Sequence, residues 1–187
     1  MAGNEREGWV EDVLNYWYRE VGPAKWFAGD KALDGEIRSR FGDLHQRLLT
    51  KLPDGVGTDP RTTLAAIIVL DQFSRNIHRG TPEAFGGDDL AVSLARQSVD
   101  RGLDESLSNE EKTFLYMPFM HSEVLADQHR CVDLFNAIGA KETLPHAIEH
   151  RDIVARYGRF PHRNRVLGRE STQAELAFLA SHAGFGQ

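Results

Sequence analysis

Three polar stretches of this 187-residue chain carry residue types and spacings that could do chemistry. The first is Asp71-Gln72-Phe73-Ser74-Arg75-Asn76-Ile77-His78-Arg79, directly after the apolar run 64–70. Asp71, Arg75 and Arg79 recur every four residues, so a continuing helix would set them on one face, with Gln72 and Asn76 on the next. That face is either an i,i+4 ion pair closing a helix, worth about 0.2–0.5 kcal/mol if exposed, or one wall of a polar pocket. The second stretch is Met117-Pro118-Phe119-Met120-His121-Ser122-Glu123. His121 and Glu123 diverge by about 200° on a helix, so they could share a pocket only if Pro118 disturbs the winding. A hydrogen-bonded core histidine is therefore the favoured reading of His121, ahead of a general base.

The third stretch is Tyr157-Gly158-Arg159-Phe160-Pro161-His162-Arg163-Asn164-Arg165-Val166-Leu167-Gly168-Arg169, and it carries the most weight. It is long for a connection between helices, yet Phe160, Pro161, Val166 and Leu167 would anchor it to a core. Residues 150–170 hold six arginines and two acids, a local charge of +4 in a chain of net −6, leaving −10 elsewhere. Only five of the 22 basic residues are lysine, and arginine's rigid fork suits flat carboxylates and phosphates. A pinned loop with four arginines, a histidine and an asparagine fits an anion site. The competing reading is that it neutralises acids of the same protein, such as Asp71 or Glu123.

The elements that must position these groups read as helices nearly throughout. Val10, Val13, Leu14 and Trp17 make one apolar face, stopped by Gly22-Pro23. Ile37, Phe41, Leu44 and Leu48 make a second. Asp59 caps a third helix with Pro60 in its first position, and that helix continues through Leu64 into residues 71–79. Asp88 reads as the cap of the next. Ser108 with Glu111 and Thr172 with Glu175 have capping-box spacing. Pro118 should kink or restart its helix, which then runs from Phe119 through His121, Val124 and Gln128. No segment alternates with the period of a strand. The expectation is a single all-α domain over residues 1–187, with eight or nine helices in stacked antiparallel hairpins.

Composition narrows the classes further. One cysteine, Cys131, excludes an internal disulfide and fits a reducing compartment, and the polar start is unlike a signal peptide. The longest apolar run is far too short to span a membrane. We therefore expect a cytoplasmic protein, monomer or homodimer, without membrane or nucleic-acid partners. Trp26, Phe27 and Phe185 are candidates for exposed apolar positions at an interface. The chain lacks a Walker-type loop, a Gly-x-Ser-x-Gly elbow and a His-Glu-x-x-His motif. His146 and His150 have i,i+4 metal spacing but no third ligand nearby, so no metal and no cofactor is expected.

Together, residues 70–77, 117–123, 158–164 and 167–172 resemble the mainly bacterial family called domain of unknown function 924, a resemblance running from Val13 to Leu179. Ser74 stands where that family usually has proline, and His78 where it often has phenylalanine. The resemblance implies an all-helical fold with hairpins arranged as in tetratricopeptide-repeat proteins, and it assigns no activity. It carries over Asp71, Gln72, Arg75, Asn76, Arg79, His121, Ser122, Glu123, Arg159, His162, Arg163, Asn164 and Arg169.

The leading functional expectation is a pocket for an anionic small molecule or peptide, built from Arg75, Asn76, Arg79, Arg159, His162, Arg163, Asn164 and Arg169. The alternative is a hydrolase of a phosphorylated or acylated small molecule. There His121 or His162 would be the acid/base, Asp71 or Glu123 its orienting partner, and the arginines the stabilisers of developing charge. That alternative requires an open cleft at the histidine.

Overall fold

The computed structural model describes residues 4–182, 184 and 185, and every regular element among them is helical. Helix α1 (Asn4–Asn15) continues into a π-helical turn, Tyr16–Val21. Helix α2 (Lys31–Thr50) starts where Asp30 accepts from the Ala32 N–H, and its Ile37, Phe41, Leu44 and Leu48 are buried at the spacing of one face. Helix α3 (Pro60–Ile67) is capped by Asp59 through the Thr62 N–H.

Residues 64–70 are fully buried, as a helix apolar all round must be. They are the axis of the domain. α1, α5 (Asp88–Asp100) and α6 (Asn109–His121) pack on α3, while α2 covers its continuation. From α6 the chain packs in sequence, α6 on α7 (Leu125–Ala137) and α7 on α8 (Leu144–Tyr157). α8 ends at Gly158, whose φ of 69° is the left-handed stop. The loop that follows sits on a smaller apolar cluster of Ile153, Val154 and Phe160, with Tyr157, Phe178 and Phe185 against it, before α9 (Gln173–Leu179).

The structure departs from the sequence reading in four places that bear on the site. The helix through residues 71–79 is not one α-helix. It widens to a π-helix over Ile68–Phe73, resumes as α4 (Ser74–Ile77) and ends there, so Arg79 lies beyond it. Helix α6 runs through Pro118, and the chain breaks instead at residues 122–124. The Gln128 amide nitrogen fills that break, lying 3.2, 2.7 and 2.6 Å from the carbonyl oxygens of Phe119, Met120 and Ser122 and sharing its two hydrogens among them. Gly87 occupies the cap position of α5, and Asp88, one residue later, is free to reach across to Arg75. Of the proposed exposed aromatics, Phe27 is 69% exposed, whereas Trp26 stacks on Trp17 and Phe185 on His150. Among the described residues, no helix is long and apolar enough to cross a membrane.

Candidate functional site

The π-helical turn is where the polar chemistry begins. Its wider winding puts Asp71 into the core, where the residue is fully buried and needs partners for both oxygens. One oxygen meets His121 Nδ1 at 2.6 Å and Arg75 Nη1 at 3.3 Å, and the other accepts from the Gln72 amide at 2.6 Å. Burial alone would raise the carboxyl's pKa. His121 and Arg75 outweigh it and hold the carboxyl well below the usual range. Burial, then the Arg75 charge, lower the His121 pKa against the pull of Asp71. At neutral pH the pair is therefore a carboxylate and a neutral imidazole donating from Nδ1, which leaves a lone pair on Nε2. His121 comes from the last turn of α6, so the dyad ties α6 to the central helix.

Arg75 continues the network. It grips Asp88 with two hydrogen bonds of 2.8 and 3.0 Å and also donates to the Asp71 carbonyl at 2.9 Å. The same Asp88 is reached by Arg163 from the 158–172 loop, through one contact of 3.4 Å. Arg163 lies between two rings, its guanidinium carbon 4.7 Å from the centre of Phe85 and 4.6 Å from that of Phe160. Its side chain is 6% exposed, and its Nε has no hydrogen-bond partner. Burial, then repulsion from Arg75, push its pKa down to about 10 despite Asp88.

Glu123 is released from the helix by the break at residues 122–124 and holds the loop from the other side. It accepts from the Phe160 N–H at 2.7 Å and, at 2.7 and 3.0 Å, from both Arg169 nitrogens. Burial would raise its pKa, but Arg169 and the Phe160 N–H keep it low. His121 and Glu123 thus face different partners, as divergence on a helix predicts, although the divergence here comes from a chain break.

The other residues singled out in the sequence settle elsewhere. Arg79 and Asn76 both bind Asp34 on α2, at 2.7–2.9 Å. Arg159 forks onto Glu175 at 2.7 and 2.9 Å, 28% exposed, and pulls that carboxyl's pKa down to about 2. Asn164 donates to the Ser171 hydroxyl at 3.1 Å, and its oxygen is buried without a partner. His162 stands 5.4 Å from Phe160, ring centre to ring centre, with Nδ1 buried and unpartnered. Sequence reasoning missed Asp88 as an ion-pair partner and Phe85 as a ring under two guanidinia, and it considered His150 only as half of a metal pair. His150 Nδ1 donates to the His146 carbonyl at 2.7 Å, while the His146 side chain lies on the surface. Among the described residues, no three His, Cys, Asp or Glu side chains converge as a metal would need.

The fold and this buried network define an all-helical protein with a carboxylate–imidazole dyad wired to an arginine loop. The family of bacterial proteins of unknown function called DUF924 matches residues 13–183, and the chain belongs to it. The solved protein of unknown function ATU0120 from Agrobacterium tumefaciens is 40% identical, with a TM-score of 0.88 over 94% of this chain and 99% of that one. Comparison with curated proteins finds no match.

Proposed function

We propose that this protein binds a small carboxylate- or phosphate-type anion at Arg163. The observation that carries the reading is the incomplete pairing of that guanidinium. Asp88 already spends both oxygens on Arg75, so Arg163 is left with one long contact. Its Nε has no partner, as is also true of Arg75 and Arg169, but those two each fork onto a carboxylate through their terminal nitrogens. A buried charge held only by rings and a marginal contact is costly, and an incoming oxyanion would supply the missing acceptors. Arg75, Arg79, Arg159 and Arg169 serve Asp88, Asp34, Glu175 and Glu123, so the clamp narrows to Arg163. Arg163 does not line the small recess between Arg75, Arg79, Gly80, Ala84, Phe85 and Val166, which has about 10 Å³, room for one water at most. Because Arg163 is itself buried, an anion that reaches it must displace part of the 158–172 loop.

An acid–base enzyme fits less well, because His121 is buried and its Nδ1 is already engaged by Asp71. A hairpin stack of the tetratricopeptide kind, a cytoplasmic location and a monomeric or homodimeric state belong to the same reading. The helices pack sequentially from α5 to α8, and the one cysteine is a buried free thiol.

The test is titration with inorganic phosphate, sulfate and acetate at fixed ionic strength, followed by the thermal midpoint of wild type and Arg163→Met. A ligand at about 100 times its Kd adds roughly 2.7 kcal/mol to stability. A wild-type shift that vanishes in the variant supports the site. Equal shifts, or none, leave the arginines as an internal ion-pair network.

A further inference from the structure

The 158–172 loop has a second neighbour besides Asp88. Beyond α9 the chain turns back at Gly184, whose N–H donates to His182 Nδ1 at 3.0 Å, and delivers the ring of Phe185 into a box of imidazoles. Phe185 stacks on His150 with centres 3.9 Å apart and planes at 22°. It meets His162 and His182 edge-on, each at 5.1 Å. His150 also faces Phe160 at 5.4 Å, and Phe160 is the ring under Arg163. The box and the incompletely paired guanidinium thus share one wall.

The box is built for a neutral, flat group. His150 has Nδ1 fixed by the His146 carbonyl, and His182 is fixed by the Gly184 N–H on one nitrogen and by Glu149 at 3.2 Å on the other. Burial pushes the pKa values of His150 and His162 down to about 3, so both are uncharged stacking surfaces at neutral pH. His162 Nδ1 is buried beside the box with no partner, an unused polar handle.

We propose that Phe185 is an internal stand-in for the ligand: the box of His150, Phe160, His162 and His182 takes the aromatic ring of an aryl-substituted anion whose charged end reaches Arg163. This rests on the anion site proposed above and adds the chemical class of its occupant. Phe185 then acts as a tethered competitor that must swing out before the ligand's ring can enter.

The experiment is calorimetric titration of wild type, Phe185→Ala and Arg163→Met with two matched pairs of probes, 3-phenylpropionate against propionate and phenyl phosphate against inorganic phosphate. A stacked ring should make the aryl member about tenfold tighter in Phe185→Ala, with a smaller preference in wild type and none in Arg163→Met. Proton chemical shifts of His150 and His162 in wild type give a second readout should Phe185→Ala fold poorly, and the aryl probes alone should move them. Aryl and alkyl probes binding equally, through Arg163, would overturn the aromatic box and leave the anion site standing. No binding by any probe would overturn both.

Discussion

Arg75 and Arg163 end on the same carboxylate, the first with two hydrogen bonds to Asp88 of 2.8 and 3.0 Å, the second with one contact of 3.4 Å. Two buried guanidinia converge there, and one of them is nearly surplus. Asp71 and Asp88 balance the two charges in number, but the geometry gives Arg75 almost all of the pairing.

Asp88→Asn should therefore be among the most damaging single changes at the site. It removes the main counter-charge of one buried arginine and, among the described residues, the one carboxylate within ion-pair distance of another. Breaking a buried ion pair from one side typically costs about 3–5 kcal/mol. Urea denaturation of the variant measures it, and a loss under about 1 kcal/mol would mean the arginines are better hydrated than their burial implies.

Gly87→Ala tests how that carboxylate is put in place. A Cβ at Gly87 would lie 2.3 Å from the Leu70 carbonyl oxygen and 3.1 Å from its carbon, both rigid backbone of the π-helical turn. The absent side chain lets α5 begin against the central helix, within reach of Arg75. Overpacking of a well-filled interior costs about 1–3 kcal/mol, and this clash cannot be relieved by a rotamer change. Unfolding should show at least that loss, with the Arg75 side-chain NMR signals shifted. An unchanged midpoint would show that α5 can slide away freely.

The helices and caps were legible because each rests on local rules. Ile37, Phe41, Leu44 and Leu48 announce a face, and Ser108 with Glu111 and Thr172 with Glu175 announce their boxes. The three polar stretches were legible as well, since charged residues interrupt apolar ones where a core helix ends. The pairing was not. Asp88 near the start of α5 looks like a helix-terminus acid, and only packing turns it towards Arg75. The π-turn at Ile68–Phe73 leaves no local signature, and the end of α4 at Ile77 takes Arg79 off the face that four-residue spacing predicts. Gln128 sits in the break after His121 and reaches back to the carbonyls that the interrupted helix leaves open, a side-chain contact that helical periodicity does not encode.

Acid should weaken the fold through His45. This residue is 1% exposed, both its ring nitrogens lack partners, and His78 lies 5.2 Å away, ring to ring. Burial, then His78, push its pKa from 6.5 to about 4. The unfolded chain therefore binds more protons than the folded one between those values, so stability is full above about pH 6.5 and falls as pH drops towards 4. The shift corresponds to about 3 kcal/mol at its limit. His45→Leu should lose that much less between pH 7 and pH 4 than wild type does. Parallel acid limbs for the two proteins would show that His45 finds a partner in solution.

Glu123→Gln should loosen the arginine loop without unfolding the domain. The carboxylate accepts the Phe160 N–H and two Arg169 nitrogens, and an amide can satisfy at most part of that set. Charge-assisted bonds of this kind contribute about 1.5–3 kcal/mol each. Hydrogen exchange should rise at Phe160, Asn164 and Arg169 while α2 and α3 keep their protection. Uniform loss of protection would show instead that the loop and the core unfold as one unit.

Arg163→Met separates a folding role from a binding role. If Arg163 is surplus to the ion-pair network, methionine can fill the space between Phe85 and Phe160, and Asp88 keeps both of its hydrogen bonds to Arg75. Replacing a buried charge by an apolar side chain of similar volume is often neutral or stabilising. The expected change is within about 1 kcal/mol of zero, far from the loss predicted for Asp88→Asn, although both residues belong to one contact. That asymmetry is the physical signature of a guanidinium kept for something other than folding. Equal losses in the two variants, measured side by side in urea, would make Arg163 a structural partner of Asp88 and remove the reason to look for an anion there.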